Sequence, residues 1–87
     1  MHYVYLLQST IDGEWYTGCT NDLQKRFNQH NKKRIFSTRD RAPFILIYYE
    51  ACINQQDAYT REKYLKSGMG KRYMKNRLKR FLKSLTG

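Results

Sequence analysis

Five side chains able to do chemistry are spread along this 87-residue chain: the phenols of Tyr5 and Tyr16, the guanidinium of Arg26, the imidazole of His30 and the distant carboxylate of Glu62. Phenols and imidazoles pass protons, and a guanidinium forks onto a phosphate or a carboxylate. A carboxylate directed at a core is stable only when it is paired or coordinates a cation. Whether the five act together depends on the elements that carry them.

Asp12-Gly13 lies between two alternating β-prone runs, Tyr3-Val4-Tyr5 and Tyr16-Thr17-Gly18 at their centres. That dipeptide predicts a hairpin with a two-residue type I′ loop. Ile11 then faces Glu14, and odd residues of the first strand oppose even residues of the second. Tyr3, Tyr5 and Leu7 share one face with Tyr16 and Gly18, while Val4 and Leu6 share the other with Trp15 and Thr17. Both phenols can therefore serve one site. Tyrosine is also a good strand residue in its own right, and with eight in the chain that accounts for most of them.

A helix follows, capped by Thr20 or Asn21, with Asp22 in its first turn and the i,i+4 pair Leu23 and Phe27 turned to the sheet. Arg26 and His30 flank that stripe, where a side chain can reach a cleft while its stem packs on the core, although on this spacing alone a solvated arginine and a surface histidine are the favoured reading. Gly18, lacking a Cβ, allows close approach of backbone to a phosphate, or simply turns the chain.

Residues 31–42 have no clear period and carry Lys32, Lys33, Arg34, Arg39 and Arg41 against Asp40, a basic loop. Phe44–Tyr49, after Pro43, reads as a central, largely buried strand. The next helix starts near Asn54 and ends near Ser67-Gly68, with Ala58, Arg61, Glu62 and Leu65 on one face. Glu62 falls inside that stripe, although an i,i+4 pair with Lys66 would set it at the edge. A last helix from about Lys71 to Leu85 has a narrow apolar stripe of Met74, Leu78, Phe81, Leu82 and Leu85, with Lys71, Arg72 and Lys75 among its many cations.

Seventeen Lys and Arg against seven Asp and Glu give a formal net charge of +10. On so small a chain this favours a polyanion, most often nucleic acid held through its phosphates. A basic amphipathic helix could also lie on a membrane surface, but a docked helix covering the sheet is the preferred reading. Residues 1–87 read as one domain with no membrane span or leader, hence a cytoplasmic protein. Cys19 and Cys52 are isolated, which excludes a disulfide framework or a zinc site of the usual spacing.

Taken in order, Tyr3-Val4-Tyr5, Tyr16-Thr17-Gly18, Arg26, His30 and Glu62 resemble the GIY-YIG nuclease superfamily. Asn21-Asp22-Leu23, His30-Asn31, Pro43-Phe44 and Arg61-Glu62-Lys63 resemble its small single-domain bacterial branch, similar to the catalytic domain of the excinuclease C subunit. The resemblance implies an α+β fold, a three-stranded antiparallel sheet flanked by helices in the order β-β-α-β-α-α. It implies catalysis by Tyr5, Tyr16, Arg26, His30 and Glu62, with Glu62 holding one Mg²⁺ or Mn²⁺, and Asn76 matching a later asparagine of the family. Tyr3 stands where the family has its first glycine, and Thr17 where it has an aliphatic residue; Tyr3 would narrow the approach to the first strand.

The expected activity is metal-dependent hydrolysis of phosphodiester bonds, of DNA rather than RNA, leaving 3′-hydroxyl and 5′-phosphate ends. Tyr5 or Tyr16, its pKa lowered by the cation and by Arg26, would activate water. Arg26 would clamp the phosphate, and His30 would assist proton transfer or bind a neighbouring phosphate. Gly18, Lys32, Lys33, Arg34, Arg39, Arg41, Lys71, Arg72 and Lys75 would contact the strand, and Phe36 or Trp15 would offer a face to a base. With no base-reading code, selection by nucleic-acid shape in DNA repair or recombination, or targeting by a protein partner, is expected. The alternative is a non-catalytic nucleic-acid-binding module that keeps the fold.

Overall fold

A computed structural model describes residues 1–85. The order is β1 (His2–Ser9), β2 (Trp15–Thr20), α1 (Leu23–Asn31), a 3₁₀ turn (Arg39–Arg41), β3 (Phe44–Cys52), α2 (Gln55–Lys66), α3 (Gly68–Arg77) and α4 (Lys79–Ser84). The three strands form one antiparallel sheet in the order β2-β1-β3, so the fold is α+β as expected.

The central strand is β1, not the apolar run at 44–49. Val4, Tyr5, Leu6 and Leu7 are at most 4% exposed, whereas Ile45 and Tyr49 of β3 are about half exposed. An apolar run signals burial but not which strand has neighbours on both edges. Leu6 faces Tyr48 and Leu7 faces Leu46, so Ile47 is an extra residue at a bulge.

The hairpin keeps the expected parity but not the expected turn. Its loop is Thr10–Gly13, with Tyr5 opposite Gly18 and Leu7 opposite Tyr16. Gly13 alone there takes a left-handed φ of 75°, and Asp12 does not, which rules out type I′. Ser9 Oγ accepts from the N–H groups of Ile11 and Asp12 at 3.0 and 3.3 Å, and Asp12 Oδ1 accepts from Glu14 N–H at 2.9 Å. Side-chain acceptors at Ser9 and Asp12 thus satisfy the loop amides that a tighter turn would pair through the backbone. The register shifts by two residues, and a two-residue slip leaves every side chain on its original face.

Two cores result. Tyr5, Leu7 and Phe44, with Leu23 and Phe27 of α1, fill one face of the sheet; Val4 and Leu6, with Ala58 and Leu65 of α2 and Met74 of α3, fill the other. Each fully buried Leu or Met contributes about 1.5–3 kcal/mol through removal of apolar surface from water.

The caps locate the helix starts. Asp22, rather than Thr20 or Asn21, caps α1 by accepting from Lys25 N–H at 3.1 Å, because Thr20 Oγ1 is engaged by the Asp22 N–H. Asn54 caps α2. The expected terminal helix begins earlier and is divided: Ser67 caps Gly70 N–H to start α3, and Leu78, at ψ 18°, separates α3 from α4. Leu78 still packs on the core, so the break leaves the apolar stripe almost in phase and invisible to periodicity.

The end of α1 is closed by Lys33 N–H to the His30 carbonyl and Arg34 N–H to the Gln29 carbonyl, with Lys33 at φ 61°. That pattern favours glycine at the position Lys33 occupies. Lys33→Gly is expected to raise stability by about 0.5–1 kcal/mol, since relief of the Cβ clash exceeds the entropic cost of glycine. If Lys33 contacts a phosphate of a bound polyanion, the same variant lowers the salt dependence of that binding by about one phosphate. Melting curves and salt-titrated binding isotherms check the two halves separately.

Candidate active site

Tyr5 on the central strand, His30 on the last turn of α1 and Thr38 in the basic loop form a hydrogen-bonded chain. Tyr5 Oη lies 3.0 Å from His30 Nε2, and His30 Nδ1 lies 2.8 Å from Thr38 Oγ1. The end of α1 is fixed there by Asn31, whose side chain takes both backbone groups of Phe44: Oδ1 accepts from N–H at 2.6 Å and the amide donates to C=O at 3.3 Å. Phe44 and Tyr5 each present a ring about 5.8 Å from the imidazole in edge-to-face geometry.

His30 is 5% exposed. Burial, and after it the charge of Arg26, pushes the imidazole down to about 4, so it is neutral at neutral pH. With both ring nitrogens engaged and almost no exposed surface it cannot also bind a phosphate, which removes one of its two expected roles. Tyr5 moves the other way. Burial raises its phenol above the ordinary 10, Glu62 adds to the rise, and the Arg26 guanidinium beside it opposes but does not overcome the effect. The expected lowering of the Tyr5 pKa by Arg26 is thus outweighed by desolvation.

Gly18 serves the Tyr5 ring directly. A Cβ at Gly18 would clash with the hydroxyl end of that ring, closest to Oη and Cζ and 2.8 Å from Cε2. Glycine there lets the phenol cross β2, an edge strand, towards the side where α1 and α2 both approach. An open cleft of about 490 Å³ lies at that edge, lined by Cys19 and Thr20 at the end of β2, by Lys25, Arg26 and Gln29 of α1, and by Gln55 and Tyr59 of α2.

Glu62 lies on α2, across the sheet from α1, with its side chain 21% exposed and its carboxylate 3.1 Å from Lys66 Nζ. The i,i+4 pair is therefore formed, yet the carboxylate is near enough to add to the rise that burial produces in both the Tyr5 phenol and the Cys19 thiol. Arg61, next to it in sequence, is committed elsewhere, 2.9 Å from Glu50 and stacked near Tyr64 and Tyr73.

Tyr16 is on the face expected but not in this group. Its hydroxyl accepts from Arg41 Nη1 at 2.6 Å, and the same guanidinium nitrogen lies 3.0 Å from Asp12 Oδ2. Lys32, Lys33, Arg34 and Arg39 are exposed, as are Lys71, Arg72 and Lys75 on α3. Asn76 is exposed on a separate shallow depression with Met69, Arg72 and Tyr73. Trp15 is half-buried against the Val4 core, whereas Phe36 is exposed. Thr38 and Asn31 escaped the sequence reading of the site: Thr38 sits in a segment without period, and Asn31 carried only its adjacency to His30.

Residues 1–79 match the family model described as the GIY-YIG catalytic domain. The chain belongs to the GIY-YIG family. It is 43% identical over 67 residues to a UPF0213 protein of Clostridium perfringens, covering 76% of this chain and 71% of that one. It is 44% identical over 62 residues to a UPF0213 protein of Bacillus pumilus, covering 70% and 62%. A UPF0213 protein of Desulfotalea psychrophila is 39% identical over 62 residues, covering 69% and 56%. The match therefore spans less than two thirds of the length of the second and third of these relatives. A solution NMR structure of a UPF0213 protein from Bacillus halodurans is similar at 36% identity and a TM-score of 0.49, covering 99% of this chain and 85% of that one.

Membership places the chain in a nuclease family whose members generally use a divalent metal. Among the described residues no three His, Cys, Asp or Glu side chains gather to cage a cation. The donor set in this GIY-YIG domain fits a hard ion held by one carboxylate, Glu62, with water and substrate oxygens as its other ligands, the usual habit of Mg²⁺. Tyr3, which stands at the family's first glycine, has its ring 6.2 Å from Tyr49 and lines a groove with Leu23 and Phe27 that adjoins the cleft beside Arg26 through Asn21 and Asp22. Among the described residues, no helix is long and apolar enough to cross a membrane.

Proposed function

We propose that this domain is a metal-dependent endonuclease that hydrolyses phosphodiester bonds of DNA, choosing its substrate by shape, in repair or recombination. The observation that carries the reading is the Thr38–His30–Tyr5 chain set beside Arg26. Pure electrostatic binding has no use for a buried neutral histidine aimed at a buried phenol.

Arg26 holds the scissile phosphate in its fork and offsets the charge that builds on the equatorial oxygens. Tyr5 orients the attacking water and takes its proton while passing its own to His30. An imidazole held near 4 is a poor acceptor at rest. Burial, the larger cause, stays in place; a phosphate arriving on Arg26 relieves only the smaller one, the positive field of the guanidinium, and to that extent makes His30 a better acceptor. Glu62 would hold Mg²⁺ or Mn²⁺, which when bound polarises the phosphate and stabilises the leaving oxygen. The exposed cations of the loop and of α3 hold the flanking strand.

The test is cleavage of branched and single-stranded DNA and RNA with either ion. Glu62→Gln and Arg26→Ala are each expected to lose at least roughly 10²–10³-fold in single-turnover rate, while Glu62→Gln binds DNA within a few-fold of the parent. One observation favours a non-catalytic binding module instead: Glu62 is neutralised by Lys66. A parent protein that binds tightly but cuts nothing in the panel establishes that second reading.

A further inference from the structure

Phe36 is 80% exposed, in a loop that also carries Lys32, Lys33, Arg34, Arg39 and Arg41. It occupies the second position of a turn closed by Thr38 N–H to the Ile35 carbonyl at 3.1 Å, and the Arg39 guanidinium lies 4.5 Å from its ring centroid. The turn is tied to the site on its C-terminal side. Thr38 Oγ1 bonds His30, the Arg41 carbonyl accepts from Ser9 Oγ at 2.6 Å, and the Arg41 guanidinium holds Tyr16. Only Ser37 separates Phe36 from Thr38, so its Cα lies within about 7 Å of the residue that ends the Tyr5–His30 chain.

An apolar ring in that setting costs exposure to water and contributes nothing to the core. Arg39 stands against it and the exposed Lys32, Lys33 and Arg34 precede it within four residues, so the loop complements a polyanion that also carries flat faces, which is nucleic acid with an unpaired base. A base inside a duplex has both faces covered by its neighbours and leaves nothing for Phe36 to stack on.

We propose that Phe36, backed by Arg39, is a base-stacking platform that receives an unpaired base beside the phosphate at Arg26, selecting DNA with a single-stranded segment at the cut. Its role in cutting rests on the nuclease reading above; its role in binding does not. The experiment accordingly measures binding on Glu62→Gln protein, which need not cut. The probes are a single-stranded oligonucleotide, a flapped duplex and a blunt duplex, each with 2-aminopurine near the junction or centre. Against that background, Phe36→Ala is expected to weaken binding to the single-stranded and flapped probes roughly 5- to 100-fold, with blunt duplex unchanged and the salt dependence the same. Phe36→Trp should restore affinity and quench the 2-aminopurine. Because the side chain is exposed, neither variant should alter the melting temperature.

Equal binding of all three probes by the parent and Phe36→Ala overturns the proposal. So does a concentration-dependent self-association, seen by sedimentation of the parent and lost in Phe36→Ala, which would make the ring a contact between copies. A parent that discriminates among the probes through Phe36 yet cuts none of them overturns the nuclease reading and leaves the platform standing.

Discussion

Tyr5→Phe is expected to lower the single-turnover cleavage rate by roughly 10²–10⁴-fold, the usual contribution of a positioned proton-transfer group, while Tyr16→Phe costs less than about tenfold. The two phenols share a sheet face but not an environment. Tyr5 Oη is bonded to a neutral imidazole and lies beside Arg26, within the field of Glu62. Tyr16 Oη is held by Arg41, which is itself held by Asp12. Losing the Tyr5 hydroxyl also leaves His30 Nε2 buried without a partner, at a cost of about 1–3 kcal/mol, so melting curves must accompany the kinetics. The two losses separate, because unfolding reduces the amount of active protein whereas loss of proton transfer reduces its rate constant. A Tyr16→Phe variant that loses more than Tyr5→Phe would assign the base to Tyr16.

The second large effect is on stability. His30 sits near 4 in the folded protein against an ordinary 6.5, so between those values the unfolded chain binds a proton that the native state refuses. Stability is therefore complete above pH 6.5, falls as the pH drops from 6.5 towards 4, and loses no more from this group below that. At 1.36 kcal/mol per pH unit the full loss approaches about 3 kcal/mol, and more than ten degrees in melting temperature for a domain of this size. Asp12 acts in a different window. Its carboxyl is held below the usual 3.8, chiefly by the Glu14 N–H, so its contribution persists above 3.8 and is lost only in stronger acid. Chemical denaturation at intervals from pH 7.5 to 4.0 checks the slope, and His30→Gln, which does not titrate, should flatten it. A parent curve with no slope between 6.5 and 4, or the same slope in the variant, would show that His30 is not the buried neutral group described.

The parity of Tyr5, Tyr16 and Gly18 survived a wrong turn type because strand alternation depends only on an even offset. That Tyr5, Arg26 and His30 lie on regular elements was legible in the same way, but spacing alone favoured a solvated arginine and a surface histidine, and only the structure brings His30 into the interior against Tyr5. Glu62 was legible both as a stripe residue and as a Lys66 partner, and it is both. The central position of β1 was not legible, since edge and centre are decided by partners that lie dozens of residues away. Nor was Thr38, whose hydroxyl meets His30 only because a loop without period returns over the end of α1.

What the sequence settled by itself is what repeats locally: the hairpin and its faces, the helical stripes, the order of the elements and the surplus of cations that calls for a polyanion. The tertiary structure decided which of those groups meet and in what state of charge. It paired Tyr5 with a neutral histidine, gave Tyr16 to Arg41, and used Gly18 to clear a path for a ring. The physical reason is that desolvation and hydrogen bonding depend on every neighbour within a few ångströms, whatever its distance along the chain.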